Sequence, residues 1–340
     1  MRYNLLICFS CILGLFFGPH TLVAQNSPTE SPALSSSISP TNSPAIERAI
    51  SYLELEKAGR LALSEPDVKR RLYYQCRILF IHYLVTEDPD LLPHFMALSK
   101  TTAQALDKLP DDDPDKRVLT AEVFFLRGAA KALNKRYVGS AFDIKSACHL
   151  ISRNLKEFPD HPEQFKLLGI FHVAMSTIPR KMQWLGKVLC FKGDLEGGLS
   201  ELEAATQPGL RLPNEAQILL FYFEKNLLDR ADLANARIHR LLEQYPDSRL
   251  YNYLLLSSYL ELRQNDSALE LAERMEPVLS ANPDATVLPL WHYARARAHF
   301  CKLEYAACIR QLDIFLSAYK GKTLYADALY RKGMALVLSD

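Results

Sequence analysis

From about residue 46 the apolar positions of the chain recur at i, i+3, i+4 and i+7, the spacing that gathers them on one face of an α-helix. No stretch shows the two-residue alternation, bounded by hairpin turns, that half-buried strands need. The periodic runs break at Glu65-Pro66-Asp67, Glu87-Asp88-Pro89, Pro110 to Pro114, Phe158-Pro159-Asp160, Tyr245-Pro246-Asp247 and Asn282-Pro283-Asp284. Proline ends a helix because it lacks the N–H for the helical hydrogen bond and its ring clashes with the preceding turn. An aspartate after it offers a carboxylate to the free N–H groups that open the next helix. The pattern predicts an all-α chain of successive helices joined by capped turns.

The breaks are quasi-regular, which points to stacked repeats. In LYNYLLLSSYLELRQNDSALELAERM, Tyr259 leads by nine residues to Ala268; in LWHYARARAHFCKLEYAACIRQLDIFL, His299 leads by nine to Cys308. LYADALYRKGMALVLSD opens a third unit at Gly333 and Leu336 and contains one helix. An earlier unit, EAQILLFYFEKNLLDRADLANARIHRLLEQYPD, ends in the same Tyr-Pro-Asp. Small residues fall where antiparallel helices must approach closely, and aromatics and leucines fill the space between units. The pattern resembles the tetratricopeptide repeat, a helix–turn–helix unit of about 34 residues that stacks into a superhelix, with the spacing here drifting to about 37 to 40. The resemblance implies an α-solenoid of antiparallel helix pairs: tetratricopeptide-like repeats over 206–340, more degenerate repeats over 46–205, and a last helix acting as a cap.

The N-terminus departs from this pattern. Met1-Arg2, an apolar run from Leu5 to Phe17, and Leu22-Val23-Ala24 before Gln25 read as a signal peptide over 1–24. The apolar run is short for a membrane span, and Cys8-Phe9-Ser10 is a poor context for lipid attachment at Cys11. Residues 25–45, QNSPTESPALSSSISPTNSPA, carry too little apolar surface to offset their ordering entropy and read as a disordered linker. Together these segments predict an exported protein, periplasmic or secreted, or associated with the cell envelope.

Residues 121–205 fit the repeat less well. The run LLGIFHVAMSTIP, a spacer, and CFKGDLEGGLSELEAA are similar to the central signature of a eukaryotic tetratricopeptide family that includes the fungal inclusion-body clearance protein and its animal relatives. The matching positions are Gly169, Ser176, Pro179, Phe191, Gly193, Asp194, Gly198 and Leu202, and the resemblance extends over about residues 115–260. Cys190 stands where that family has glycine, and the signal peptide sets the chain apart from intracellular relatives. The resemblance implies an all-helical scaffold loosely tied to lipid or protein homeostasis, without catalytic residues.

Read physically, Pro179 stops one helix and suits the first turn of the next. Gly193 suits a left-handed helix end, Asp194 an N-cap, and Gly197 and Gly198 a close helix approach. Between them, Met182, Leu185 and Leu189 form one helical face and Arg180, Trp184, Lys187 and Phe191 the opposite one. A basic-aromatic face opposite an aliphatic one has three readings: an interfacial membrane helix, a protein contact anchored by Trp and Arg, or aromatics packed under the next repeat with the basic residues on its rim.

Composition narrows the chemistry. Net charge is +1 with 23% charged residues, acids and bases interspersed, so no nucleic-acid stripe is expected. Five cysteines follow the signal peptide: Cys76, Cys148, Cys190, Cys301 and Cys308. Odd and scattered on apolar helical faces, they read as small core residues rather than a disulfide framework, with one bridge open between Cys301 and Cys308, which flank a turn. His292 and His299 lie on one helix face, but two residues two turns apart do not chelate one ion, so no metal is expected. Asp111-Asp112-Asp113-Pro114-Asp115 lacks the glycine and closing glutamate of a calcium loop and reads as a turn capping a helix near Asp115. There is no phosphate loop, HExxH or nucleophile elbow. The expectation is a non-enzyme without cofactor whose concave surface holds a protein or peptide; a membrane-surface protein and an enzyme of unknown class are the alternatives.

Overall fold

The structure, a computed structural model, describes residues 42–110, 112–177, 190–281 and 288–339. The signal peptide, most of the linker, Pro179, Arg180, Trp184 and Lys187 lie outside the described residues. Among those described, every regular element is helical, and fifteen α-helices follow one another as an all-α solenoid. They are α1 (Ser43–Ser51), α2 (Leu55–Leu63), α3 (Val68–Thr86), α4 (Leu91–Asp107), α5 (Pro114–Leu133), α6 (Tyr137–Glu157), α7 (Phe165–Ser176), α8 (Leu195–Ala204), α9 (Pro213–Asn226), α10 (Ala231–Gln244), α11 (Arg249–Glu261), α12 (Asn265–Ala281), α13 (Leu288–Cys301), α14 (Tyr305–Ala318) and α15 (Tyr325–Ser339), with a 3-10 turn at Pro162–Gln164. Order begins earlier than the composition predicts: α1 starts inside the segment read as linker, with a proline in its first turn.

The expected caps hold at several breaks. Asp67 accepts from the Lys69 N–H at 2.8 Å to open α3, and Asp113 from the Asp115 N–H at 2.9 Å to open α5. At Tyr245-Pro246-Asp247 the cap is instead the next residue, Ser248, which accepts from the Tyr251 N–H at 3.2 Å. A second regularity is in the backbone. Leu53, Lys135, Arg263 and Leu303 adopt left-handed φ of 56, 58, 59 and 62°, each between the two helices of a pair. The following residue donates its N–H back across the turn: Glu54 to the Ala49 carbonyl at 2.9 Å, Arg136 to Lys131 at 2.9 Å, Gln264 to Tyr259 at 2.8 Å and Glu304 to His299 at 2.9 Å. These are six-to-one bonds of the Schellman type, which satisfy carbonyls left open at a helix C-terminus. Asp229, at φ 54°, makes a close variant between α9 and α10, where Arg230 donates to Glu224 at 2.8 Å. The same turn thus recurs in α1–α2, α5–α6, α9–α10, α11–α12 and α13–α14, although glycine stands at none of these positions.

The two helices of a pair differ in burial. α12 buries one stripe, Ala268, Leu271, Ala272, Met275 and Leu279, whereas α11 is buried nearly all round, including Asn252, Ser257 and Ser258. First helices therefore form an inner layer and second helices an outer one. The inner layer is covered by the chain itself. α3 has no exposed residue from Lys69 to Asp88. It packs on α2, α4 and α5, and its Arg77 pairs with Glu215 of α9. α1 packs on α11, where the Ser248 hydroxyl donates to the Ser51 carbonyl at 2.8 Å, and Glu47 accepts the Asn214 N–H at 2.8 Å. At the far end of α3, Asp88 pairs with Lys320 at 2.7 Å and Glu87 accepts the Thr323 N–H at 3.1 Å. Through these contacts the N-terminal helices pack against the C-terminal ones, α1 on α11 and α3 on α9 and on the turn at 320–323.

Candidate functional site

The signature positions converge on the docking of α7 against α8. Gly169 and Gly198 face each other: a Cβ on Gly169 would lie 2.6 Å from the Gly198 carbonyl oxygen, and one on Gly198 would lie 2.9 Å from the Gly169 carbonyl oxygen. Leu202, fully buried, fills the space beside Gly169. Gly193 is not the left-handed helix end that its sequence context suggests. Gly209 is the one described glycine with positive φ, and Gly193 is needed because a Cβ there would sit 2.5 Å from Cα of Ser176. Asp194 does cap α8, accepting from the Gly197 N–H at 2.9 Å, and its own N–H reaches the His172 carbonyl at 3.2 Å. Phe191, the one described member of the basic-aromatic face, is half-buried, stacked on Phe171 at 5.7 Å and edge-on to His172 at 5.3 Å. These residues are engaged with one another as a helix junction.

A second constellation, which sequence periodicity did not single out, is a buried ion network beside α3. Lys166 of α7 lies 3.1 Å from both Glu122 of α5 and Glu215 of α9. Arg211, buried in the loop before α9, lies 3.7 Å from Asp115 and Glu122 and 3.6 Å from Glu163, with its guanidinium 5.4 Å from the centre of the Tyr73 ring. The Arg211 backbone N–H also donates to Glu163 at 2.9 Å. Burial alone would raise the Asp115 and Glu122 carboxyls. For Asp115 the His161 hydrogen bond and the Arg211 charge outweigh it, and for Glu122 the Lys166 and Arg211 charges do, so both sit below the usual range. Glu47 goes the other way: burial outweighs its bond from Asn214 and lifts it to about 7. The network joins α3, α5, α7, α9 and the turn before α7. Separating any of these buried pairs leaves an uncompensated charge.

The exposed apolar surface is concentrated on α15. Leu329, Tyr330 and Val337 are 47, 66 and 72% exposed, and Tyr325 and Leu336 share their side of the helix. Ala328 and Ala335 turn inward toward α14. Gly333, the small residue equivalent to Tyr259 and His299 in the preceding units, has open space where its Cβ would be. In the same register Tyr325, Leu329 and Tyr330 correspond to Tyr251, Leu255 and Leu256 of α11, all buried, whereas Leu336 and Val337 correspond to the exposed turn residues Leu262 and Arg263.

The histidines are engaged locally, His292 with Gln311 at 2.7 Å and His299 with Glu304 at 2.6 Å. Among the described residues no group of three His, Cys, Asp or Glu side chains could hold a metal ion, and no helix is long and apolar enough to cross a membrane. Of the cysteines, Cys76, Cys148 and Cys308 are buried as expected, but Cys301 is exposed and Cys190 lies half-buried outside any helix. No protein-family model matches the chain, and no curated protein matches it significantly.

Proposed function

We propose that the protein is an exported, non-enzymatic, tetratricopeptide-like scaffold that binds a protein partner, and that α15 presents the contact. The observation that carries this reading is the row Tyr325, Leu329, Tyr330, Leu336 and Val337, an apolar face on an inner-layer helix that no second helix among the described residues covers. Exposed apolar surface that is contiguous, rather than scattered, marks interaction sites. The repeat geometry suggests the occupant: the positions of α11 equivalent to Tyr325, Leu329 and Tyr330 are buried in a helix that pairs with α12, so the partner fits by offering an amphipathic helix. The interior ion network has the depth and charge balance of a register device, and its buried position supports a structural role over a catalytic one.

The test is affinity capture of residues 25–340 from the native cell envelope, with Tyr330→Glu/Val337→Glu alongside. A stoichiometric protein retained by the wild type and lost by the double variant supports the reading. Retention by both moves the contact elsewhere. Flotation of the wild type with anionic liposomes, coupled with no protein partner, would favour a membrane-surface role centred on Trp184 instead.

A further inference from the structure

Cys148, on α6, and Cys190, in the strap that leads into α8, are 42 residues apart in sequence and adjacent in space. The backbone N–H of Cys190 donates to Sγ of Cys148 at 3.0 Å, the N–H of Phe191 also points to that sulfur, and the two cysteine side chains are themselves hydrogen-bonding neighbours. An N–H seated on the sulfur confines the two Cα atoms to within about 7 Å, the outer edge of what a disulfide spans. The residues that follow hold the strap in place: Phe191 is stacked on Phe171, and Gly193 is pressed against Ser176. Beside Cys76 lie the charges of Arg77 and Arg127.

We propose that Cys148 and Cys190 form a disulfide, a covalent staple that fastens the 190–194 strap to α6 and so secures the α7–α8 junction enclosed between them. The chemistry is ordinary thiol–disulfide exchange. The half-buried Cys190, as thiolate, attacks a small-molecule or protein disulfide, forming a mixed disulfide and releasing one reduced thiol. Cys148 then loses its proton and displaces the second thiol from Cys190 Sγ. Two protein thiols give up two protons and two electrons, and the oxidant's disulfide takes up both to become two thiols. Burial and the adjacent Cys190 hold the Cys148 thiol above its ordinary range, so its deprotonation sets the pace of closure. The bridge suits an oxidising compartment, but it stands on the geometry and does not depend on the binding role of α15.

The experiment uses the folded protein carrying Cys301→Ser, which removes the exposed competing thiol. It is incubated with oxidised glutathione, then denatured, alkylated and digested for mass spectrometry. The expected result is a linked peptide pair containing Cys148 and Cys190, two hydrogens lighter than the sum of the reduced peptides. It should disappear on reduction, and the melting temperature should fall on reduction. Cys190→Ser, a change at a half-buried site, should abolish both the linked pair and the response to reductant while the protein still folds. Quantitative alkylation of both cysteines after oxidation of the folded protein would overturn the proposal, as would pairing of either with a different cysteine.

Discussion

Alanine at Gly169 tests the α7–α8 junction most directly. The added Cβ would lie 2.6 Å from the Gly198 carbonyl oxygen, 2.7 Å from Leu202 Cγ and 3.1 Å from the Leu202 N. Two of the three atoms are backbone of α8, so no rotamer change relieves the contact. Restoring an ordinary carbon–oxygen separation of about 3.3 Å requires the helices to part by about 0.7 Å. A gap of that size forfeits roughly a quarter to a half of the dispersion contact across the face. Overpacking of this kind costs about 1–3 kcal/mol, and replacing glycine within a helix returns about 1 kcal/mol. With rigid backbone on the receiving side the cost is at the upper end, leaving a net loss of about 2 kcal/mol. At about 2.1 cal/mol/K per residue over a folded region of roughly 300 residues, that lowers the melting temperature by about 3 °C. Gly59 is the internal control: it also lies inside a helix, α2, but has nothing within 4 Å of a built Cβ. Gly59→Ala should therefore gain about 1 kcal/mol. Thermal unfolding followed by circular dichroism compares the two. If Gly169→Ala stabilises as Gly59→Ala does, the close-contact reading of the signature glycines is wrong. The pair Gly169→Ala/Gly198→Ala should lose less than the sum of the singles, because one separation of the helices accommodates both.

Glu47 gives a pH signature. Its carboxyl is lifted from 4.5 to about 7 by burial and, to a lesser degree, by Glu215, against the Asn214 bond and Lys166. A raised folded value means that its favourable contribution is fully present below about 4.5 and is lost as pH rises through about 7, a swing on the order of 3 kcal/mol, which urea titrations across that window should show for the wild type and not for Glu47→Gln. At the recurrent turn, Leu303 is largely exposed in a left-handed conformation; Leu303→Gly should raise stability by up to about 1 kcal/mol, and a melting temperature that falls would refute the cost assigned to that backbone. Arg211→Ala takes away the cation that Asp115, Glu122 and Glu163 share, leaving Glu122 to Lys166 and Asp115 to Arg70 and His161, and should cost about 3–5 kcal/mol by urea unfolding; a loss under about 1 kcal/mol would show the charges to be solvated.

Much of the architecture is a local property and was readable as such. The apolar spacing, the proline breaks and the carboxylates at Asp67, Asp113 and Asp194 define helices and their starts within a few residues of sequence, because a cap needs only its own first turn. The recurring small positions, Ala268 and Cys308, anticipate helix pairs for the same reason: neighbouring helices joined by a short turn must touch. Gly193 shows where local reading misleads. Glycine before a capping aspartate suits a left-handed helix end, but the residue is there for the backbone of Ser176, which comes to it through the fold.

What the sequence determined by itself is the class of structure: helices, their approximate ends, and their stacking as pairs. Only the tertiary structure decided what those pairs enclose. That α1 and α3 pack against the C-terminal helices depends on contacts such as Asn214 with Glu47 and Lys320 with Asp88, which span 167 and 232 residues. The same holds for the ion network, whose members are ordinary surface-type residues until α5, α7, α9 and the loop at Arg211 close around α3, and for the meeting of Cys148 with Cys190. Hydrophobic periodicity reports which side of a helix is buried, since burial of apolar area is non-directional; it carries no information about which distant segment does the burying. That choice is made by shape and by the pairing of charges at depth.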